Sequence, residues 1–270
     1  MRIPIYQVDA FTDQLFAGNP AAVCPLEEPI TAPLMQSIAI ENQLSETAFL
    51  LRNGNSIQLR WFTPGGEVNL CGHATLAAGH VLLSEIEPAA KRVEFETASG
   101  TLTVERAESG YTLDLPAWPG TEVPVEESWI EALGIGAKEA RPRAARRTER
   151  DIYLLFDTEA EVRALAPDFR ALARIQSGDV LIDGVGVAAP GETVDVVSRF
   201  FAPLLGIDED PVTGSAHSTW VPWFADMTQK TSLTCRQISK RGGKLTAHLV
   251  DNRVRLSGSA VTYLRGEIEV

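Results

Sequence analysis

Positive charge is scarce in this chain: 24 Lys and Arg stand against 36 Asp and Glu, a formal net charge of −12 over 270 residues. Such a surface repels phosphate backbones and anionic headgroups and argues against nucleic acid or a membrane surface as partner. The densest basic stretch, Arg141 to Arg150 (RPRAARRTER), includes Glu149, lacks aromatic side chains and reads as a solvated connecting loop. Long apolar runs are missing too. None reaches the roughly 18 to 20 residues needed to cross a bilayer, and MRIPIYQVDAF at the amino end has no signal-peptide core or cleavage site, so a cytoplasmic protein is expected. Three cysteines, Cys24, Cys71 and Cys235, are an odd number without CxxC spacing, which fits reduced thiols rather than a disulfide framework. His73, His80, His217 and His248 form no HExxH or clustered Cys/His pattern, so no metal is expected.

What is present is ordinary globular material, 44% hydrophobic and 22% charged, in a length that favours two smaller cores over one large one. Alternation over residues 3 to 11 predicts a strand, Gly18-Asn19-Pro20 a turn, and AAVCPL another strand. Residues 31 to 42 have helical spacing, and 47 to 53 and 56 to 64 read as paired strands around Gly54-Asn55. Residues 92 to 116 alternate in short runs broken by Ser-Gly, the pattern of an antiparallel meander. Pro116, Pro119, Gly120 and Pro124 then interrupt every periodicity, which places an interdomain linker near Ala117. Beyond it, helices near 126 to 133 and 168 to 174, strands at 151 to 157, 180 to 189 and 198 to 201, and a final meander repeat the same order of elements.

The halves also share a local pattern. Arg60-Trp61-Phe62-Thr63-Pro64 is echoed by Arg199-Phe200-Phe201-Ala202-Pro203, and each continues to a helix start, Gly72-His73-Ala74 and Gly214-Ser215-Ala216. His73 and Ser215 are therefore pseudo-equivalent. The run Ala74 to Leu83 has no polar face, so its helix must be surrounded by protein. The first N–H groups of a buried helix lack partners and carry the positive end of its dipole, which suits an anion. Two such tips facing each other could grip a small carboxylic acid. Pro222 is expected to kink or end the second helix early, and Trp220, Trp223 and Phe224 to pack against core rather than stack on a ligand.

Taken singly, His73 reads as a histidine capping a buried helix, Ser215 as a first-turn residue, Glu46 as an exposed carboxylate at a strand entry, Cys71 as a small buried side chain, and Asp210 as part of an acidic turn. Their convergence where two repeats meet makes them a candidate site. VDAFTDQLFAGNPAAVC, ENQLSETAF, RWFTPGGEVNLCGHATLA, SRFFAPLLGIDEDPVTGSAH, ISKRGGKL and VRLSGSAVTYLRGEIEV, in this order, resemble the PhzF-like isomerase family of phenazine biosynthesis, whose fold is that of diaminopimelate epimerase.

The resemblance implies an α+β protein of two pseudo-symmetric domains, each a curved, mostly antiparallel sheet around a central helix. The domains are set at 1–117 and 118–259, with a last strand at about 260–270 as a candidate to complete the first. It implies a cofactor-independent isomerase in which Glu46 moves a proton on a small anionic carboxylic acid, with His73, Asp210 and Ser215 completing the catalytic set. Gly72 and Gly214, with Cys71 and Thr213 beside them, would contact substrate. A homodimer is also implied. Two alternatives stand beside this reading. One is an amino-acid epimerase or racemase using Cys71, although its counterpart Thr213 is no substitute for a thiolate. The other is a catalytically silent binding protein.

Overall fold

The computed structural model describes residues 1–54, 56–136 and 141–270. The first half contains β1 (Arg2–Ala10), β2 (Asn19–Leu26), α1 (Ala32–Asn42), β3 (Glu46–Asn53), β4 (Ser56–Thr63), β5 (Gly66–Val68), α2 (Gly72–His80), β6 (Arg92–Thr97), β7 (Gly100–Arg106) and β8 (Tyr111–Pro116). The second contains β9 (Thr121–Val123), α3 (Glu127–Ala132), β10 (Ala144–Arg147), β11 (Asp151–Leu155), α4 (Glu159–Ala164) and α5 (Phe169–Leu172). It continues with β12 (Gln176–Ser177), β13 (Val180–Leu181), β14 (Gly184–Pro190), β15 (Val196–Phe201), α6 (Gly214–Thr228), β16 (Ser232–Gln237), β17 (Gly243–Val250), β18 (Arg253–Gly258) and β19 (Ala260–Glu269). The fold is α+β, mostly sheet. β3 and β4 pair antiparallel up to Asn53 opposite Ser56; of the expected Gly54-Asn55 turn, Asn55 lies outside the described residues.

The order of pairings is duplicated. In the first half β1–β2 is antiparallel, β2–β3 parallel, β3–β4 antiparallel and β4–β6 parallel, followed by the meander β6–β7–β8. In the second, β10–β11, β11–β14, β14–β15 and β15–β16 repeat these senses and lead to the meander β16–β17–β18. β8 pairs with β18, so one sheet runs through both halves. The outer edges are exchanged: β19, which follows the second half, covers β1, and β9, which follows the first, covers β10.

Each half wraps its sheet around a central helix. All nine residues of α2 are buried, and the helix continues through a wider, π-helical turn from Val81 to Ile86. Its small residues let the sheet come close: a Cβ at Gly79 would lie 2.4 Å from a Val104 methyl. Ala74, Leu76 and Ala77 share one apolar core with Trp220, Val221 and Phe224 of α6. Outer layers cover the other sheet faces, α1 with Met35 and Ile38 over Phe49 and Phe62, and α3 to α5 with Trp129, Val162 and Leu172 over Ile152 and Phe201. Helix α1 starts on the Thr31 hydroxyl, which accepts from Leu34 N, and α4 on a capping box of Thr158 and Glu161.

Three expectations need correction. The basic stretch at 141–150 is not a loop: Ala144–Arg147 form β10, wedged between β9 and β11. Arg146 lays its guanidinium 4.7 Å from the Trp223 ring centre, so charge here serves packing. The expected strand at 180–189 is split between β13 and β14. The third concerns α6, which is not cut short by Pro222 but runs 15 residues to Thr228. Proline removes the N–H that would bond the Ser218 carbonyl, and Trp118 N of the linker donates to that carbonyl instead, at 2.8 Å. The Thr219 hydroxyl returns a bond to Trp118 O, also at 2.8 Å. Trp220 and Phe224 are fully buried, with Trp220 stacked on Trp223, and serve as core.

Candidate active site

The repeated RxFxP segments end β4 and β15, and the resemblance extends to side chains. Arg60 makes a two-pronged bond to Glu67 (2.7 and 2.7 Å) and covers Phe62, as Arg199 does to Glu209 (2.7 and 3.1 Å) and Phe201. Each segment is thereby fixed before the chain enters a central helix. α2 and α6 then meet tip to tip. A Cβ on Gly72 would lie 2.8 Å from the Gly214 Cα, and one on Gly214 would lie 3.0 Å from the Gly72 Cα. Only glycine at both positions allows this approach. Cys71 and Thr213 occupy equivalent N-cap positions, and neither side chain closes back on its helix. Two positive dipole ends thus converge.

Around this junction lies a cleft of about 290 Å³, whose lining includes Glu46, Asp210, Thr213, Ser215, Trp118 and Phe200. Glu46 opens β3 and is 9% exposed; His73, in the first turn of α2, is 3% exposed. Glu46 Oε2 stands 3.0 Å from His73 Nε2. Both atoms are buried, and neither has another hydrogen-bond partner among the described residues.

The opposite wall is fully bonded. The Thr213 hydroxyl donates to Asp210 Oδ2, and Gln237 Nε2 donates to Asp210 O (2.7 Å) and Thr213 Oγ1 (3.1 Å). Gln237 Oε1 accepts from Thr213 N at 2.8 Å. Asn19, at the start of β2, links the walls: its amide nitrogen lies 3.0 Å from His73 Nδ1, 2.8 Å from Asp210 Oδ1 and 2.9 Å from Val212 O. The Ser45 hydroxyl donates to Asn19 Oδ1 at 3.2 Å. Glu46, His73, Cys71, Asp210, Thr213 and the two glycines are therefore brought to one junction. Ser215, half-buried, lines the same cleft. Asn19 stands in Gly18-Asn19-Pro20, which reads in the sequence as a turn first and a cleft wall second; Ser45 and Gln237 are not legible as site residues there, since a single polar side chain carries no periodic signal.

Burial raises the Asp210 carboxyl, although His73, Thr213 and Asn19 oppose it. At His73 burial disfavours the charged ring, but Cys71 and Glu46 outweigh it and hold the imidazole well above its usual value. Burial, followed by the Glu46 charge, pushes the Cys71 thiol up to about 11. On the outer wall burial lifts Asp151 to about 7, against the bond from the Tyr153 hydroxyl. Donor atoms of Glu46, Cys71 and His73 lie within 4.8 Å of one another, close enough for a small cation.

Fold and cleft together define a class: an α+β protein with the epimerase-like fold and a cleft where two helix tips meet. A hydroxyproline epimerase from Agrobacterium vitis, solved with bound trans-4-OH-L-proline, shares that fold (TM-score 0.66, 14% identity, 99% of this chain and 92% of that one). The chain belongs to the phenazine biosynthesis-like protein family, whose sequence profile matches residues 8–266. An uncharacterized isomerase of Pseudomonas aeruginosa is 44% identical over the full length of both chains. The crystal structure of a phenazine biosynthesis protein of the PhzF family from Enterococcus faecalis superposes with a TM-score of 0.91, 42% identity and complete coverage of both chains. Among the described residues no helix is long and apolar enough to cross a membrane.

Proposed function

We propose that this protein is a cofactor-independent isomerase that shifts a proton on a small carboxylic acid, with Glu46 as the base. The observation that carries the reading is the buried pair Glu46 Oε2 and His73 Nε2, 3.0 Å apart and without any other hydrogen-bond partner among the described residues, at a cleft between two helix tips. The substrate carboxylate sits against the N–H groups of Gly72 and Gly214, where the dipoles favour negative charge. Glu46 takes a proton from carbon. The electron pair left behind moves onto the carboxylate as an enolate, which the Ser215 hydroxyl and the helix N–H groups stabilise. In an acid that carries a C=C bond next to the deprotonated carbon, the pair delocalises over it, Glu46 or His73 returns the proton at its far carbon, and the double bond shifts to lie beside the carboxylate. Asp210 touches none of the reacting atoms in this scheme; it fixes Thr213 and Asn19.

The same reading carries a two-domain division near residue 117, with β19 completing the first domain, together with a cytoplasmic homodimer. Racemisation by opposed thiols is less well supported, because Cys71 is held at about 11 and Thr213 stands where the second thiol would be. The test is a panel of small carboxylic acids in D2O, followed by proton NMR. Exchange and double-bond migration are expected with the native protein and fall by about 10²–10⁴-fold in Glu46→Gln. Exchange that survives Glu46→Gln, or that inverts an amino acid and vanishes in Cys71→Ala, sinks the proposal.

A further inference from the structure

Asn19 is 0% exposed, and its amide stands between the two halves of the site. Its orientation is decided by Val212 O, a carbonyl that can only accept, 2.9 Å away. Turned the other way, the amide oxygen would face Val212 O and Asp210 Oδ1 at 2.9 and 2.8 Å, with no hydrogen between them. The amide nitrogen must therefore face all three neighbours, His73 Nδ1 among them at 3.0 Å, and the oxygen turns to the Ser45 hydroxyl. A proton on Nδ1 would oppose a donor to a donor, with Cys71 Sγ at 3.5 Å as its sole alternative acceptor among the described residues. Nδ1 is thereby kept as an acceptor, and the proton of the neutral ring is sent to Nε2.

We propose that Asn19 is a positioning residue that holds His73 in the Nε2–H tautomer, with its proton on the nitrogen facing Glu46. The inference rests on the proton-shift reading for its role in turnover, but the tautomer itself is a property of the free protein. Two amide hydrogens share three acceptors, so Asn19 also opposes a second ring proton, against the pull of Glu46 and Cys71. The titratable groups facing the ring are Glu46, Cys71 and Asp210. Loss of the Asn19 amide frees Nδ1 to take a proton.

The experiment is long-range proton–nitrogen NMR of the full chain labelled with 15N-histidine, at neutral and mildly alkaline pH. In the native protein the neutral form of His73 is expected to show Nδ1 bare and Nε2 protonated. In Asn19→Ala the ring is expected to populate Nδ1–H and to titrate at higher pH. His217 is the internal control, because its Nδ1 lies 2.8 Å from Thr213 O and must donate there; its Nδ1–H pattern reports that the variant is folded. Native His73 found as Nδ1–H overturns the inference even if Asn19→Ala does not fold. So does an unchanged His73 tautomer in a folded variant. Absence of Glu46-dependent exchange would remove the proposed reaction and leave this spectrum as it is.

Discussion

Gly72 and Gly214 touch backbone to backbone: each lacks a side chain where one would strike the other's Cα, at 2.8 Å from one direction and 3.0 Å from the other. This contact sets the distance between two helix tips whose dipoles repel, and the surrounding core of α2 and α6 holds them there. Gly72→Ala cannot be relieved by rotating a flexible side chain, because the obstacle is backbone. It is expected to lower stability by about 1–3 kcal/mol and to weaken carboxylate binding. Urea unfolding and ligand titration check both effects. Because the two residues share one contact, adding Gly214→Ala should cost less than the sum of the single changes.

Cys71 is expected to be a bystander to proton transfer. Burial holds its thiol at about 11, so very little thiolate exists at neutral pH. The folded protein should resist iodoacetamide at this position, as read by peptide mass spectrometry. Cys71→Ser should keep exchange within about tenfold of native, whereas Glu46→Gln loses far more.

His80 links α2 to the last strand, with Nδ1 3.0 Å from the Tyr111 hydroxyl and Nε2 2.8 Å from Thr262 Oγ1. Burial lowers its pKa from 6.5 to about 4. The unfolded chain therefore takes this proton first. The contribution to stability is complete above the unfolded value of 6.5 and is lost as pH falls toward 4, up to about 3 kcal/mol. His80→Gln should lose less stability than native protein over that window, measured by denaturant midpoints at each pH.

Pro222 should be replaceable. Pro222→Ala restores an N–H aimed at the Ser218 carbonyl, which then competes with Trp118 N. The expected outcome is a helix no less stable, by thermal unfolding, and a linker released from it. Faster proteolytic cleavage around residues 117–124 and altered Trp118 fluorescence would report the release.

The duplicated tips are legible in the sequence because their signal is local: a charge-poor helical run, a glycine at its start and the same RxFxP approach in both halves. The roles expected of Glu46, His73 and Asp210 come from the resemblance of their motifs to the PhzF-like family; taken singly each reads as an ordinary strand entry, cap or turn. Equating a basic run with solvent fails at β10, since Arg146 spreads over Trp223 instead. Pro222 reads as a break, because nothing nearby in sequence shows that Trp118, far earlier in the chain, supplies the missing donor. Gln237 is hidden likewise: an amide's importance lies in which chain segments surround it, and those meet through long-range sheet pairing.

The exchange of edge strands has a consequence for how the chain is made. A nascent polypeptide that has emerged as far as residue 259 still lacks the 10-residue strand that covers the outer side of β1. Until that strand arrives, the edge presents bare backbone groups able to recruit a neighbouring strand from another molecule. Chains still short of β19 thus carry β1 as a free edge, and the docking of β19 is the event that covers it.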